Sequence, residues 1–67
     1  MTDSKQLRQV IEDSGYKYSF IASKMGISSY SLQRKIENDN EFKASEIKVL
    51  SELLKISDCQ RNQIFFA

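Results

Sequence analysis

The sequence predicts an all-α domain built from five short helices, and three observations carry that prediction. Apolar residues recur at helical spacing and nowhere sustain the alternation of a strand. Residues that start and stop helices fall between those runs at short intervals. The 67-residue chain holds no proline and only two glycines, each at the end of a helical run. A chain of this size buries only about 60% of its unfolded surface, so residues 1–67 are expected to make a single compact domain with no linker.

The elements follow in order. Leu7, Val10 and Ile11 lie on one face of a first helix, which Ser14 continues. Asp3 or Ser4 starts it, and Gly15 stops it as a left-handed cap, a conformation open to glycine because it has no Cβ. Phe20, Ile21, Ala22 and Met25 give a second, short helix that ends at Gly26. Ile27, Leu32 and Ile36 form the apolar line of a third segment, with Ser28 or Ser29 as its N-cap. Glu37 to Glu41 is polar and rich in Asn and Asp, which tolerate turn conformations, so it reads as a loop. Ile47, Leu50, Leu53 and Leu54, at i, i+3, i+6 and i+7, mark a fourth, amphipathic helix. Ser57 to Gln60 fits the capping box Ser/Thr-x-x-Glu/Gln and opens a last helix carrying Ile64, Phe65 and Phe66.

Composition argues against enzyme chemistry. There is no histidine, no Cys-x-x-Cys and no glycine-rich loop. Glu12 and Asp13 are adjacent on a helix and do not face each other as an acid–base pair would. No catalytic residue, metal, cofactor or small-molecule substrate is expected. A single cysteine forms no internal disulfide, which suits a reducing cytoplasm. Cys59 reads as a small filler near the last cap. No apolar run approaches a membrane span, and the polar first ten residues lack the core of a signal peptide.

The spacing in residues 18–36 carries more information. Two helices that cross steeply over a three- or four-residue turn need a small side chain at their closest approach, and Ala22 supplies it. Their turn needs a residue that accepts positive φ, and Gly26 supplies that. Met25, Ile27, Leu32 and Ile36 pin both helices to a core. With Leu32 and Ile36 facing inward, a 100° step turns Tyr30, Gln33, Arg34 and Glu37 outward.

From Tyr18 to Ile36, YSFIASKMGISSYSLQRKI resembles the helix-turn-helix of the Cro/CI-type (XRE-type) DNA-binding domains. It is most similar to small Cro-like, antitoxin-like and antirepressor regulators of prophages in Gram-positive bacteria. Phe42, then Ser45-Glu46-Ile47 opening the next helix, and the closing Ile64-Phe65-Phe66 agree with the family's flanks, so the resemblance spans nearly the whole chain. Two features depart from it. Leu32 and Ile36 are four apart where many members have three, with Asn38-Asp39-Asn40 in place of a glycine loop. Lys43 stands at an N-cap where Thr or Ser is usual.

The resemblance implies a five-helix Cro/CI-like fold and a regulator that binds a double-stranded DNA operator. A recognition helix at about residues 28–37 would enter the major groove. It assigns base reading to Ser29, Tyr30, Gln33 and Arg34. Gln33 can pair bidentately with adenine and Arg34 with guanine, while Tyr30 can pack on a thymine methyl or donate to a phosphate. Ser28, at the helix start, favours a phosphate. Tyr18 stands where the family often touches the backbone; Lys17, Lys24, Lys35 and Lys43 complete that set. Each residue also has a plain explanation, since Gln and Arg suit any exposed helical face, serines cap helices and lysines are commonly just solvated.

Ile64, Phe65 and Phe66 fit either a plug between the first and fourth helices or an interface. Phe65 reads as core, and Phe66 is open. The expected partners are an operator, a second copy in a weak or DNA-assembled homodimer, or a partner phage repressor. In that last case the chain would be an antirepressor or modulator.

The formal net charge of +1 is unevenly spread. Residues 1–16 sum to −1 and residues 37–67 to −2, whereas residues 17–36 hold Lys17, Lys24, Arg34 and Lys35 with no acid, giving +4. Near neutrality overall is therefore compatible with a local phosphate footprint.

Overall fold

The computed structural model describes residues 1–66. It consists of α1 (Ser4–Ser14), α2 (Tyr18–Met25), α3 (Ser29–Ile36), α4 (Ala44–Leu53) and α5 (Asp58–Phe65), with no strand among the described residues. Among the described residues no helix is long and apolar enough to cross a membrane.

Local chemistry sets the starts of these helices. The Asp3 carboxylate accepts the Gln6 N–H at 3.1 Å and the Gln6 side-chain amide at 2.9 Å, which holds its carboxyl below the ordinary value. Ser28 Oγ accepts the Ser31 N–H at 3.0 Å, and Ser57 Oγ accepts that of Gln60 at 3.2 Å. Lysine has no acceptor, so Lys43 leaves its cap to another residue. The Glu46 carboxylate, three positions on, accepts the Lys43 N–H at 2.8 Å.

Helix ends are closed by residues in the left-handed region. Gly15 (φ 78°) and Gly26 (φ 73°) do this as expected, and Asn38 (φ 66°) and Lys55 (φ 55°) do it without being glycine. After α2, α3 and α4 the next N–H reaches back five residues: Ile27 to the Ala22 carbonyl at 3.0 Å, Asp39 to Arg34 at 2.9 Å and Ile56 to Ser51 at 2.9 Å. These are Schellman closures, which satisfy carbonyls the helix leaves open. Asn38 therefore takes the place of the glycine that the loop lacks.

The core joins Leu7 and Ile11 of α1 to Ile21 and Ala22 of α2, Leu32 and Ile36 of α3, Leu50 of α4, Ile56, and Ile64 and Phe65 of α5. Burying each Leu or Ile contributes about 1.5–3 kcal/mol relative to leaving it exposed. α1 packs on α3 and α5, while α2 packs on α3 and α4. Thus α3 is clamped from two sides. Its last turn is tied further to the chain start: Ser4 Oγ donates to the Ile36 carbonyl, and the Asn38 side-chain amide exchanges two 2.9 Å bonds with the Thr2 backbone.

Phe20 and Cys59 depart from expectation, and the closing trio decides between its two alternatives. Phe20 does not share the apolar face of α2. That face is Tyr18, Ile21, Ala22 and Met25, and Phe20 lies on the far side, exposed. Of the two alternatives for the closing trio, the plug holds for Ile64, which is fully buried, and for Phe65, as expected of it, whose ring meets Phe42 edge-on at 5.4 Å. Of that trio only Phe66 is exposed. Cys59 is exposed as well and fills no gap.

Candidate nucleic-acid interface

α2 and α3 are joined by three residues, Gly26 to Ser28. Gly26 reverses the chain in the left-handed region, Ile27 half-buries against the core, and Ser28 caps α3. Ala22 is buried on the α2 side of this unit. Leu32 and Ile36 are fully buried beneath α3, and the helix therefore presents its opposite side to solvent.

On that side Tyr30 is 71% exposed, Ser29 and Arg34 are exposed, and Gln33 is half-buried. The Arg34 guanidinium lies 5.8 Å from the centroid of the Tyr30 ring, one helical turn away. A cation–π contact of this kind restrains a long side chain. At the start of α3 the Ser28 hydroxyl is engaged by the Ser31 N–H and by Ser31 Oγ at 3.1 Å. Its capacity for a phosphate therefore lies with the first backbone N–H groups of the helix, those of Ser29 and Tyr30.

Arg8, from α1, joins this face. Its Nη1 donates to Gln33 Oε1 at 3.3 Å, and its Nη2 lies 3.9 Å from the Glu37 carboxylate. Reading the sequence missed Arg8, because nothing local connects residues 25 positions apart.

The predicted phosphate contacts divide. Lys17 is exposed at the start of α2 and makes no side-chain cap, so the first N–H groups of that helix are open to an anion. Tyr18 beside it is half-buried against the core. Lys24 lies on the outer side of α2, its ammonium 5.4 Å from the Phe20 ring centroid, and Phe20 in turn packs on Tyr16 at 5.0 Å. Lys43 is exposed at the start of α4.

Lys35 does not belong with them. It is 9% exposed, and its Nζ donates to Glu46 Oε1 at 2.8 Å and to the Glu41 carbonyl at 3.2 Å. Its ammonium is committed inside the fold, where it braces α3 against α4. Burial pushes the Glu46 carboxyl up, but the hydrogen bonds from Lys35 and from the Lys43 N–H, with the charges of both lysines, outweigh that. They hold it below its ordinary value. Of the four cations in residues 17–36, one is thus neutralised by α4.

A second surface lies away from α3. An open groove of about 770 Å³ runs along α4 and α5, with Phe42, Ile47 and Ile56 among its lining residues. Lys48, Glu52, Lys55, Asp58 and Arg61 also line it, together with the 64%-exposed Phe66. Among the described residues no three His, Cys, Asp or Glu side chains come together as a metal site would need.

Comparison with protein-family models, with curated proteins and with solved structures finds no match to this chain.

Proposed function

We propose that the chain is a sequence-specific DNA-binding transcriptional regulator, a Cro-like repressor in which α2 and α3 form the helix-turn-helix and α3 enters the major groove. The observation that carries this reading is the exposed Ser29-Tyr30-Gln33-Arg34 face on a helix held from behind by α1 and α2. Lys17 and the open N-termini of α2 and α3 supply phosphate contacts at its margin, and no acidic side chain occurs between Ser14 and Ile36. One such face reads one half-site, so two copies one DNA turn apart, roughly 34–36 Å, give the affinity a single domain lacks.

The test is binding to DNA upstream of its own gene, measured across a salt series. A protected site whose affinity falls with rising salt supports the reading, because neutralised phosphates release counterions. Absence of any protection at low salt refutes it.

A second reading rests on the exposed Phe66 beside the α4–α5 groove. The chain would then act as an antirepressor, docking on a partner phage repressor by an aromatic anchor. Co-purification with a neighbouring repressor, without independent operator binding, would favour it.

A further inference from the structure

Tyr30 and Arg34 form a unit on the exposed side of α3. The Arg34 guanidinium lies over the Tyr30 ring, 5.8 Å from its centroid. Even with Arg34 there, Tyr30 is 71% exposed, so much of its ring stays open to a ligand. The neighbouring charges are engaged elsewhere. Lys35 is bound to Glu46, and Glu37, the acid three residues beyond Arg34, faces Arg8 instead. No ion pair or hydrogen bond among the described residues engages the Arg34 side chain. Its five N–H donors are therefore free for a ligand, while the ring beside it limits how far they swing.

The two groups suit different bases. Guanine presents the acceptors O6 and N7 together, which match the forked donors of arginine. Thymine is the one base with a methyl group in the major groove, and a tyrosine ring offers that methyl an apolar surface. Distance limits how far apart two such bases can lie. Successive base pairs rise about 3.4 Å, so groups 5.8 Å apart span fewer than two steps.

Resting on the DNA-binding reading, we propose that Tyr30 and Arg34 together read a thymine and a guanine no more than two base pairs apart. Tyr30 acts twice. Its ring covers the thymine methyl directly, and the same ring positions Arg34 for guanine. Restraining Arg34 before DNA arrives reduces the entropy lost when its fork is fixed on the base. The guanine preference therefore depends in part on a residue that does not touch guanine.

The experiment selects bound duplexes from a random pool with the wild-type protein, Arg34→Ala, Tyr30→Phe and Tyr30→Ala. Both positions are exposed, and unfolding curves verify that each variant is folded. The guanine position is the one that Arg34→Ala flattens. Wild type is expected to prefer guanine there by about tenfold, the scale of one good bidentate contact. Tyr30→Ala should abolish the preference for thymine one or two steps away. It should also lower the guanine preference about threefold, the scale of one exposed cation–π contact. Tyr30→Phe keeps the ring and should retain both preferences. On the selected site, deoxyuridine in place of that thymine removes only the methyl. It should weaken wild type and Tyr30→Phe about fourfold, the scale of one buried methyl group, and leave Tyr30→Ala unchanged.

A guanine preference unmoved by Tyr30→Ala, a thymine more than two steps away, or a wild type indifferent to deoxyuridine overturns the paired reading while leaving DNA binding intact. Loss of both preferences in Tyr30→Phe overturns it too, because the effect then belongs to the phenol hydroxyl. Failure of the wild type to select any sequence refutes the DNA-binding reading itself, and this inference with it.

Discussion

Replacing Glu46 by alanine should bring this domain close to unfolding, although Glu46 touches neither the α3 face nor the groove. The side chains of Lys35 and Glu46 are 11% and 9% exposed, and their charged atoms lie 2.8 Å apart. In Glu46→Ala the Lys35 ammonium stays buried with one carbonyl, that of Glu41, as its recorded partner. Stripping one member from a buried pair costs about 3–5 kcal/mol, because the remaining charge is uncompensated. Losing the acceptor for the Lys43 N–H, the effective cap of α4, adds about 1 kcal/mol. Set against a total stability of about 3–10 kcal/mol for a chain of this size, the loss takes a large part of it or all.

Lys35→Met with Glu46→Gln behaves differently. It removes both charges, keeps an acceptor for the Lys43 N–H, and should stay within about 1–2 kcal/mol of wild type, since apolar replacement of a buried pair is often near neutral. Urea unfolding followed by circular dichroism measures all three proteins near neutral pH. A loss under about 1 kcal/mol for Glu46→Ala, or a double variant no more stable than that single one, would refute the claim that this pair is buried and coupled.

The remaining predictions concern acid, the helix ends and salt. The Glu46 carboxyl titrates below its ordinary 4.5, so its stabilisation is fully present above that pH and is lost as pH falls through the lower folded value; Asp3, ordinarily 3.8, acts in the same direction. Stability should therefore decline below about pH 4.5, and less steeply in the double variant. Gly26→Ala should cost about 1–2 kcal/mol in the same unfolding assay, all of it from the left-handed backbone. A Cβ there would meet nothing within 4 Å, so a much larger loss would reveal crowding the structure does not have. Asn38→Ala should cost about 1–2 kcal/mol and Asn38→Gly less, because glycine keeps the φ of 66° and forfeits only the side-chain bonds to Thr2 and Ser4. In DNA titrations, Lys17→Ala should reduce the salt slope by about one unit, whereas the stable double variant Lys35→Met with Glu46→Gln should leave it unchanged.

What the sequence made legible was local. Gly15, Gly26, Ser28 and Ser57 act within a turn of where they stand, and each caps the helix it was expected to cap. The inward line of Leu32 and Ile36 likewise follows from a 100° step. Even the awkward Lys43 was correctly placed at an N-cap; its remedy, Glu46, lies three residues on and is a recognisable half of a capping box. Phe20 marks α2 by its apolar character, but its helical angle separates it from Ile21 and Ala22 and leaves it exposed. The other misses are tertiary. Lys35 reads as a solvated cation until α4 brings Glu46 against it, and Arg8 reads as one until α1 crosses α3. A string of letters carries no record of such approaches.

The contact between the two ends of the fold has a consequence for how it is made. The Asp3 N–H donates to the Ile64 carbonyl at 2.6 Å, and α1 rests on α5 as well as on α3. During synthesis, α1 emerges with Leu7 and Ile11 bare and gains its last partner only when Ile64 and Phe65 have left the ribosome. Folding of this domain in that sense waits for its last helix: helices that gather earlier leave the core open on one side. A translation pause in the last turn of α5 would hold the chain in that open form, its apolar surface available to chaperones.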